Sequence, residues 1–365
     1  MRTIIFLGNA RDFHAMDWYR TIQNICPDNK VYFATDLIES EGHAKLVKDN
    51  DLILPLFNID KFLFKEQSNS GNIWRNLIKV LIFPFQIPKI KKLKKNYPNT
   101  IFHAHTMYYM FLGWVAKINY IGTPQGSEIL VRPYKSCLYK YFAKKALVNA
   151  KYIIVDSLNL QNGIKLLSGK NAAIIQNGID VKEILKYNFG GGGERDKVLS
   201  IRGMYPNYRL EEIFLAREKS VTKPNLTFFY PFWEDGYKKT ISRYFKHDDV
   251  DLARISEKAD VYKLMFSSLL AISIPKSDSS PRSVYEAIFC GCCIALTYHP
   301  YIELMPKCMR ERVFIVQIED PNWFDKALSY AKKLVQIPFV PTQEALNRYD
   351  QNSSMAIVAK NYYLN

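Results

Sequence analysis

The sequence lacks a long hydrophobic run. Nowhere in its 365 residues do roughly eighteen uncharged apolar residues follow one another, the length that a helix needs to cross a bilayer. The apolar stretch near the start, Thr3–Gly8, is too short for the core of a secretion signal and instead predicts a first buried strand. We therefore expect neither a membrane-spanning nor a secreted protein, and a cytoplasmic location follows.

Cysteine is scarce, with six residues in the chain. Cys290 and Cys293 have C-x-x-C spacing, but no second pair completes a zinc site and the surrounding residues are apolar. Without a secretion signal, all six are expected to be reduced and structural. A metal or redox site at this pair is the less favoured alternative, so we expect no metal and no cofactor.

Acidic residues are too few to balance the basic ones. The chain has 35 Asp and Glu against 50 Lys and Arg, a formal net charge of +15. Such a balance favours an anionic partner: nucleic acid, an anionic lipid surface or a phosphorylated small molecule. No RRM, KH or zinc-finger spacing is present. Nucleic acid is therefore not the expected partner, and a non-catalytic nucleic-acid-binding protein is kept as an alternative.

What the chain does contain is a regular alternation of short apolar runs with helical patterns. Apolar residues make up 48% of it, and its length exceeds what one core commonly serves. The alternation predicts parallel βαβ units with helices on both faces of each sheet. We predict an α/β fold of two such domains, with strands at Thr3–Gly8, Lys30–Thr35, Asp51–Leu56, Thr100–His105, Tyr120–Gln125, Lys151–Ser157, Ala172–Asn177, Lys197–Arg202, Leu226–Phe232, Leu269–Pro275, Cys292–Thr297 and Arg312–Ile318.

A run of four glycines divides the two predicted domains. Gly190–Gly193 cannot hold a strand or helix well, and its position favours a flexible linker. A phosphate-binding loop is disfavoured because no Lys-Ser/Thr pair follows. The predicted division is an N-terminal domain at 1–180, a linker at 181–196, a C-terminal domain at 197–345, and a terminal segment at 346–365 whose helix, Asn352–Tyr363, packs back on the N-terminal domain.

The stretch Ile73–Lys95 joins large apolar side chains to a cluster of lysines and is interrupted by Pro84 and Pro88. One interpretation is a core-packing helix followed by a solvated basic helix. The other is an interfacial element whose lysines face anionic headgroups, which would attach the protein to the inner face of the cytoplasmic membrane. The sequence leaves both interpretations open.

The most informative stretch is Leu269–Leu296. A predicted strand, Leu269–Pro275, leads into a polar loop and then a helix that stops before Gly291. Ser280 suits the N-cap and Pro281 the first helical position. The loop therefore follows the carboxyl end of a parallel strand, where open α/β sheets bind ligands. The unpaired N–H groups of the helix start point to the same place.

Charged side chains in this stretch fit a phosphorylated sugar ligand. The helix start can hold a phosphate, and Arg282 adds a fixed positive charge able to grip it. Glu286 can accept two hydrogen bonds from the vicinal hydroxyls of a ribose. Asp278 can accept hydrogen bonds from sugar hydroxyls. The remaining candidate donor-binding residues of the loop and helix start are Ser279, Ser280, Pro281 and Ser283.

Asp278-x7-Glu286, followed by Ala287 and Gly291, resembles the carboxylate-x7-Glu signature of glycosyltransferase family 4. The resemblance implies the GT-B fold, in which two Rossmann-like parallel-sheet domains face a central cleft. It also implies a metal-independent transfer that retains the anomeric configuration. In this family the first carboxylate, usually glutamate, contacts the donor sugar and the second the ribose, which implies these roles for Asp278 and Glu286.

Further matches follow in order along nearly the whole chain. Val198–Gly203 resembles the first strand of the family's nucleotide-binding domain, which implies that Arg202 contacts the diphosphate. Arg209 is the nearest candidate for a lysine that the family places a few residues on; a surface charge is its alternative role. Phe102–Thr106 resembles the family's I-H-A-H strand end and makes His105 a candidate catalytic residue.

The first half carries three more matches. Thr123–Glu128 is similar to the family's T-x-H/W-G-S-D loop, which implies acceptor-side roles for its last four residues, Gln125, Gly126, Ser127 and Glu128. Asn177–Asp180 resembles the motif that leads to the linker. The N-terminal loop starts at Gly8, a candidate donor contact. It resembles a branch of the family with a histidine followed by a tryptophan, here His14, on the acceptor side, and Trp18.

The resemblance implies a retaining hexosyltransferase that uses a UDP-sugar, preferred over a GDP-sugar from family frequency. Its acceptor would be a growing glycan or a lipid-linked oligosaccharide in bacterial surface polysaccharide or lipopolysaccharide synthesis. A GT-B nucleotide-sugar epimerase is the alternative with the same fold. Such an epimerase needs acid and base residues at the sugar, and the sequence does not locate them.

Overall fold

The computed structural model describes residues 2–37, 46–63, 69–188, 195–230, 232–253 and 257–364. The predicted glycine linker, Gly190–Gly193, lies outside the described residues. The chain forms two compact units, Met1–Asn177 with Asn352–Asn365, and Gly178–Gln351. We call them unit 1 and unit 2.

Unit 1 contains a seven-stranded sheet in the order β3-β2-β1-β4-β5-β6-β7. Every neighbouring pair in it is parallel. Its strands are β1 Thr3–Leu7, β2 Lys30–Thr35, β3 Ile53–Pro55, β4 Thr100–His105, β5 Tyr120–Thr123, β6 Tyr152–Val155 and β7 Ala173–Ile174. Its first seven helices are α1 Phe13–Ile25, α2 Asn69–Asn96, α3 Met107–Val115, α4 Gly126–Leu130, α5 Arg132–Lys135, α6 Cys137–Asn149 and α7 Leu158–Ser168.

Unit 2 contains a six-stranded parallel sheet in the order β10-β9-β8-β11-β12-β13. Its strands are β8 Lys197–Ser200, β9 Leu226–Tyr230, β10 Val250–Ala253, β11 Ser268–Ser273, β12 Cys293–Leu296 and β13 Val313–Ile315. Its helices are α8 Val181–Leu185, α9 Leu210–Lys219, α10 Asp235–Ile241, α11 Lys258–Phe266, α12 Arg282–Phe289, α13 Lys307–Arg310, α14 Trp323–Leu334 and α15 Gln343–Tyr349. The last helix of the chain, α16 Gln351–Val358, continues as a π-helical turn, Ala359–Tyr363. From Asn352 onward this segment belongs to unit 1.

Each sheet has a hydrophobic core on both faces, because successive strand residues point to opposite sides. In β1, Ile5 and Leu7 pack into one cluster and Ile4 and Phe6 into the other. In unit 2, Leu199 packs on one face and Val198 on the other. Double coverage explains why the strands of these sheets are continuous apolar runs. The prediction of parallel α/β sheets in two domains is confirmed.

The strand order locates a binding edge in each unit. In both sheets the chain progresses outward on one side of the first strand and then restarts on the other side, so β1 adjoins β4 and β8 adjoins β11. Ligands of open α/β sheets bind outside the carboxyl ends of the strands at this reversal. The loops after these four strands therefore carry the candidate sites.

Two predictions of secondary structure differ from what the structure contains. The edge strand β10 was missed, since its largely exposed sequence Val-Asp-Leu-Ala contains no apolar run. Pro84 and Pro88 do not interrupt Ile73–Lys95: both lie inside the single helix α2. Each proline removes one helical hydrogen bond, but both rings are on the exposed face, where water can satisfy the freed carbonyl groups.

The helix of the signature stretch begins one residue later than expected. Pro281, predicted as the first helical residue, precedes α12 with an extended ψ of 105°. Gly291 follows the helix with a φ of +86°, the left-handed conformation that favours glycine after a helix.

The division into units also differs in detail from the predicted boundaries. Part of the predicted linker is helix α8, whose Val181 and Ile184 are buried in the core of unit 2. Tyr349, which was assigned to the terminal segment, belongs to the same core. Asn352–Asn365 belongs to unit 1, where Tyr363 is fully buried.

Candidate functional site

In unit 2, two loops meet at the carboxyl ends of the adjacent strands β8 and β11. The Lys276 backbone N–H donates to the Asn207 carbonyl at 2.7 Å, and the Asn207 side chain donates to the Ser277 carbonyl at 3.0 Å. The loop after β8 and the loop after β11 are therefore joined by direct hydrogen bonds. Asn207 was not among the residues that the sequence pattern identified.

These joined loops place Arg202 against Asp278. Arg202 Nη2 lies 3.0 Å from Asp278 Oδ2, and its Nη1 donates to Ser283 Oγ at 3.3 Å. The guanidinium also lies over the Tyr208 ring, 4.6 Å from its centroid. Asp278 Oδ1 accepts the Ser279 backbone N–H at 3.0 Å. Four residues of the predicted donor site, Arg202, Asp278, Ser279 and Ser283, are thus brought together.

The Asp278 carboxyl group is largely withdrawn from water, with 11% of its side chain exposed. Burial raises its pKa, while the Arg202 charge, the Ser279 N–H and His299 act in the opposite direction. His299 follows β12 and is itself buried. Burial lowers the pKa of His299, and its Nε2 lies 3.2 Å from Thr297 Oγ1. No pattern in the sequence identified His299 as a site residue.

The start of α12 adjoins this pair. The N-cap residue is Pro281, not the predicted Ser280, and its side chain makes no capping hydrogen bond. The first N–H groups of a helix have no acceptor within the helix. Ser280 Oγ lies 3.2 Å from the Tyr285 hydroxyl. This helix start can bind an anion through its N–H groups and its dipole.

Two buried hydroxyl groups at the same strand ends lack hydrogen-bond partners among the described residues. They are Ser200 Oγ at the end of β8 and Ser273 Oγ at the end of β11. Buried polar groups are almost always satisfied, so each unsatisfied one requires an explanation. A polar ligand or water at this edge of the sheet would supply one.

Glu286 lies in the second turn of α12 and is partly exposed. Its Oε1 accepts a hydrogen bond from the Tyr262 hydroxyl at 3.3 Å. Burial raises the pKa of Tyr262, so this phenol stays protonated and donates. The contact orients one carboxylate oxygen of Glu286, which leaves acceptor positions on the other for hydroxyl groups of a ligand.

Arg209 occupies a strained position immediately before α9. Its φ of +51° and ψ of 44° are left-handed, a conformation that costs a non-glycine residue about 1 kcal/mol or more. The side chain is partly buried. It is close enough to His299 to lower the pKa of that imidazole, after burial and Arg202.

In unit 1, the loops after β1, β4 and β5 bring together Asp12, His105 and Gln125. Asp12 Oδ2 lies 3.6 Å from His105 Nε2 and accepts the Gln125 side-chain amide at 3.0 Å. Asp12 Oδ1 caps α1 by accepting the His14 backbone N–H at 3.0 Å. Asp12 was missed, although an aspartate immediately before a helix is a recognisable N-cap signal.

His105 is buried behind this carboxylate. Burial lowers its pKa, with Asp12 acting in the opposite direction, and the edge of Trp18 packs on it with ring centroids 6.0 Å apart. The next residue, Thr106, has a φ of +84° and a ψ of 156°, a region that is otherwise almost confined to glycine. Such strain is concentrated at functional sites.

Glu128 is buried and holds two loops together. Its Oε2 accepts the backbone N–H groups of Met107 at 2.9 Å and Gln125 at 3.0 Å. Burial raises the pKa of its carboxyl group. Of the predicted acceptor-side residues, Gln125, Ser127 and His14 are exposed and Gly126 is partly buried. Gly8 is buried at the end of β1, where an added Cβ would lie 2.8 Å from the Phe33 ring.

A cavity of about 910 Å³ opens at these strand ends of unit 1. His14, Gln125 and Glu128, for which the resemblance implied acceptor-side roles, line it. It is also lined by the cationic residues Arg75, Lys79 and Arg132, none of which the sequence identified. Within the described ranges, no cluster of three His, Cys, Asp or Glu side chains could hold a metal ion. None of the helices described combines the length and the apolar character that a bilayer crossing requires.

No family model and no curated protein matches the chain in sequence. Solved structures match it over nearly its full length. HepE from Anabaena, in complex with UDP, aligns with a TM-score of 0.65 at 14% identity over 99% of this chain and 96% of that one. Sucrose-phosphate synthase from Thermosynechococcus elongatus aligns at 0.70 and 11% identity over 99% and 98%. The chain has the GT-B fold.

The GT-B fold alone does not separate transferases from other enzymes. A protein from Listeria monocytogenes described as a UDP-N-acetylglucosamine 2-epimerase also aligns, with a TM-score of 0.61 and 13% identity over 98% of this chain and 95% of that one. Function must therefore be argued from the residues at the strand ends.

Proposed function

We propose that the protein is a retaining, family 4-like glycosyltransferase that moves a sugar from a nucleotide donor. The acceptor is a growing glycan or lipid-linked oligosaccharide in bacterial surface polysaccharide synthesis, such as that of lipopolysaccharide. The observation that carries this proposal is the pairing of Arg202 with Asp278 beside the start of α12, where the N-cap residue is Pro281, with Glu286 one turn further along the helix.

The donor binds at the strand reversal of unit 2. Its diphosphate accepts hydrogen bonds from the first N–H groups of α12, with Arg202, Arg209 and Arg282 supplying positive charge. Glu286 accepts hydrogen bonds from the ribose hydroxyls. Asp278, held by Arg202 and by the Ser279 N–H, accepts hydrogen bonds from the sugar. UDP is preferred over GDP, a preference that the UDP complex of HepE supports.

Catalysis in this proposal is electrostatic and requires no metal ion. As the bond between sugar and diphosphate breaks, negative charge develops on the leaving oxygen, next to the arginines and the helix start. Groups positioned in advance toward such charge are each worth about a hundredfold to a thousandfold in rate. No side chain is assigned as a covalent nucleophile, in keeping with direct retention of configuration.

The acceptor binds to unit 1. Asp12 orients the His105 imidazole and the Gln125 amide. Asp12 and Gln125 line the cavity where an acceptor hydroxyl can enter, and His105 lies buried behind Asp12. Because burial lowers the pKa of His105, its imidazole is neutral at neutral pH and can accept a proton. Glu128 keeps the two loops in place and is a positioning residue.

Helix α2 supports attachment to an anionic membrane surface on the cytoplasmic side. Six large apolar residues of this helix are exposed, and we call them the α2 stripe: Ile73, Trp74, Leu77, Val80, Leu81 and Phe85. They fall along one side of the helix at 100° per residue, and exposed lysines follow in its last turns. An apolar side with basic residues nearby is typical of a helix that lies in the membrane interface.

Thermal unfolding with UDP-, GDP-, CMP- and ADP-sugars tests the donor site in the wild type, Asp278→Asn and Glu286→Gln. A ligand at about 100 times its dissociation constant stabilises a protein by about 2.7 kcal/mol. We expect stabilisation by one nucleotide class, lost in Glu286→Gln. Asp248→Asn, which removes an exposed carboxylate from the same unit, should respond like the wild type. No stabilisation by any donor would contradict the proposal.

NMR of the donor incubated with the protein separates the two enzyme classes. A transferase should consume the donor only when a glycan acceptor is added, with the anomeric configuration retained in the product. Conversion of a UDP-sugar to its 2-epimer without an acceptor would instead establish the epimerase alternative. Salt-sensitive RNA binding without nucleotide-sugar binding would favour a nucleic-acid-binding protein.

A further inference from the structure

The cavity of unit 1 contains a cationic group that the proposed transfer chemistry does not use. Its lining includes Arg75 and Lys79 from α2 and Arg132 from the start of α5. His14 and Gln125 line the same cavity. At about 910 Å³, the cavity is near the upper end of the range for small-molecule sites. It can hold much more than a single hydroxyl group of an acceptor.

Within the part of the chain that the structure describes, the positive charge in this cavity is only partly paired. Lys79 is paired, with its Nζ 3.4 Å from the buried Asp36 carboxylate, and Arg132 Nη1 lies 4.0 Å from Glu128 Oε1. No described residue forms an ion pair or hydrogen bond with the Arg75 side chain. Burial lowers the pKa of Arg75, repulsion from Arg11 and Arg132 lowers it further, and Asp36 and Tyr109 act in the opposite direction.

The two carboxylates that line the cavity are already engaged. Asp12 accepts from Gln125 and from the first turn of α1. Glu128 accepts two backbone N–H groups in addition to its contact with Arg132. Among the described residues, Arg75 therefore remains a partly buried cation that Asp36 influences without pairing with it directly, an arrangement that an anionic ligand would stabilise.

Another part of the cavity wall is apolar and leads outward to exposed apolar surface. Val80, Phe83, Phe111, Leu138 and Phe142 line it. Val80 belongs to the α2 stripe, and both Val80 and Leu138 are 68% exposed. An apolar chain could therefore run from the α2 stripe along this rim while an attached anion lies inside.

We propose that this cavity binds the phosphate or diphosphate group that links an acceptor glycan to a lipid chain. Arg75 and Arg132 contact the phosphate oxygens, and the chain lies along Val80, Leu138 and the α2 stripe. This inference rests on the proposed function, because it assigns the class of acceptor. The cavity lining has both a cationic part and an apolar part. A lipid-linked phosphate would contact both parts, whereas a free phosphate ion would contact only the cationic one.

Binding of soluble probes tests the assignment directly. Isothermal titration with dodecyl phosphate below its micelle concentration supplies both parts of the ligand, dodecyl maltoside only the chain, and inorganic phosphate only the anion. We expect dodecyl phosphate to bind at least about tenfold more tightly than either of the others. If dodecyl maltoside binds as tightly as dodecyl phosphate, the site is an apolar groove without a phosphate-binding role. If inorganic phosphate binds as tightly as dodecyl phosphate, the site binds free anions. Either result overturns the proposal.

A pair of charge-matched variants locates the site. Arg75→Gln with Arg132→Gln should weaken dodecyl phosphate binding at least about tenfold. Lys30→Gln with Lys165→Gln removes the same charge from exposed positions on β2 and α7 of the same unit and should leave it unchanged. Equal loss in both would show a nonspecific charge effect, and no loss in the arginine pair would exclude the cavity. Arg75→Lys, which keeps the charge, should retain binding and excludes misfolding as the cause.

UDP-sugar binding measured on the same samples separates this inference from the proposed function. The arginine variants lie in unit 1 and should bind the donor like the wild type. Donor binding and glycan transfer without dodecyl phosphate binding would refute the lipid-phosphate site alone. Dodecyl phosphate binding without any donor binding would refute the transferase instead.

Discussion

Arg202 and Asp278 form an ion pair at 3.0 Å, although they lie in loops that follow different strands of unit 2. Both side chains are nearly buried, with 12% and 11% exposed. The free energy needed to remove two charges from water offsets much of the free energy gained from their attraction, so such a pair is weak evidence for stability. Its position at a strand reversal and a helix start fits the donor-binding role proposed for both residues.

Arg202→Ala should weaken UDP binding by about tenfold to a hundredfold, since a charge-assisted hydrogen bond contributes roughly 1.5–3 kcal/mol. Isothermal titration with UDP measures the change. Arg243→Ala removes an arginine from an exposed position of the same unit and should bind UDP normally. Unchanged affinity in Arg202→Ala would remove this residue from the diphosphate site.

Glu286→Gln should discriminate between parts of the donor. If Glu286 contacts the ribose, the variant loses roughly tenfold in affinity for UDP but none for inorganic pyrophosphate, which has no ribose. Competition titrations with the two ligands give both values. An equal loss for both would mean that the change acts on the phosphate site or on the helix, and the ribose role would be wrong.

Leu77→Glu with Leu81→Glu should reduce co-sedimentation with anionic vesicles by at least about tenfold, because two apolar side chains of the α2 stripe no longer enter the interface. Val221→Glu changes an even more exposed apolar residue, 91% exposed in unit 2, and serves as the control. It should sediment like the wild type. Equal losses in both proteins would indicate charge repulsion in place of an interfacial helix.

Gly178→Ala should destabilise the protein more than Gly169→Ala. Both glycines have a left-handed φ, +72° and +75°, so both variants share a backbone strain of about 1 kcal/mol. Only at Gly178 would the new Cβ meet backbone, 2.6 Å from Gln351 Cα, which adds roughly 1–3 kcal/mol. The midpoint of thermal unfolding should therefore fall further for Gly178→Ala by a few degrees. Equal midpoints would contradict the contact.

His103→Gln should make the protein less sensitive to acid. Burial lowers the pKa of His103 well below 6.5, so the folded protein binds fewer protons than the unfolded chain as the pH falls through 6.5. Stability is then lost toward lower pH, by up to about 1.4 kcal/mol per pH unit for one histidine. Unfolding midpoints between pH 7.5 and 5.5 should fall less steeply in the variant.

His247→Gln is the control for this experiment. The His247 imidazole is fully exposed, and hydrogen bonding to Asp248 raises its pKa, so it contributes no loss of stability in acid. Its variant should follow the wild-type pH profile. If His103→Gln also follows that profile, the hydrogen bonds of His103 to Tyr363 and Thr123 do not depend on a neutral imidazole.

Local patterns in the sequence were enough to predict most elements of both sheets. Strands buried on both faces are mostly apolar, so β1, β6 and β11 are visible as largely continuous apolar runs. The edge strand β10 has no such requirement and was missed. The signature around α12 was also visible, because a loop, a helix start and two carboxylates are close together in the chain.

Only the tertiary structure decided which distant residues share a site. The pairing of β8 with β11 brings Arg202 to Asp278, and the packing of α2 and α5 in unit 1 places Arg75 near Arg132. The physical reason is that hydrophobic periodicity specifies which face of an element is buried but not what lies against it. The order of strands in a sheet is set by contacts between residues far apart in sequence. That order determines which residues lie next to each charged side chain.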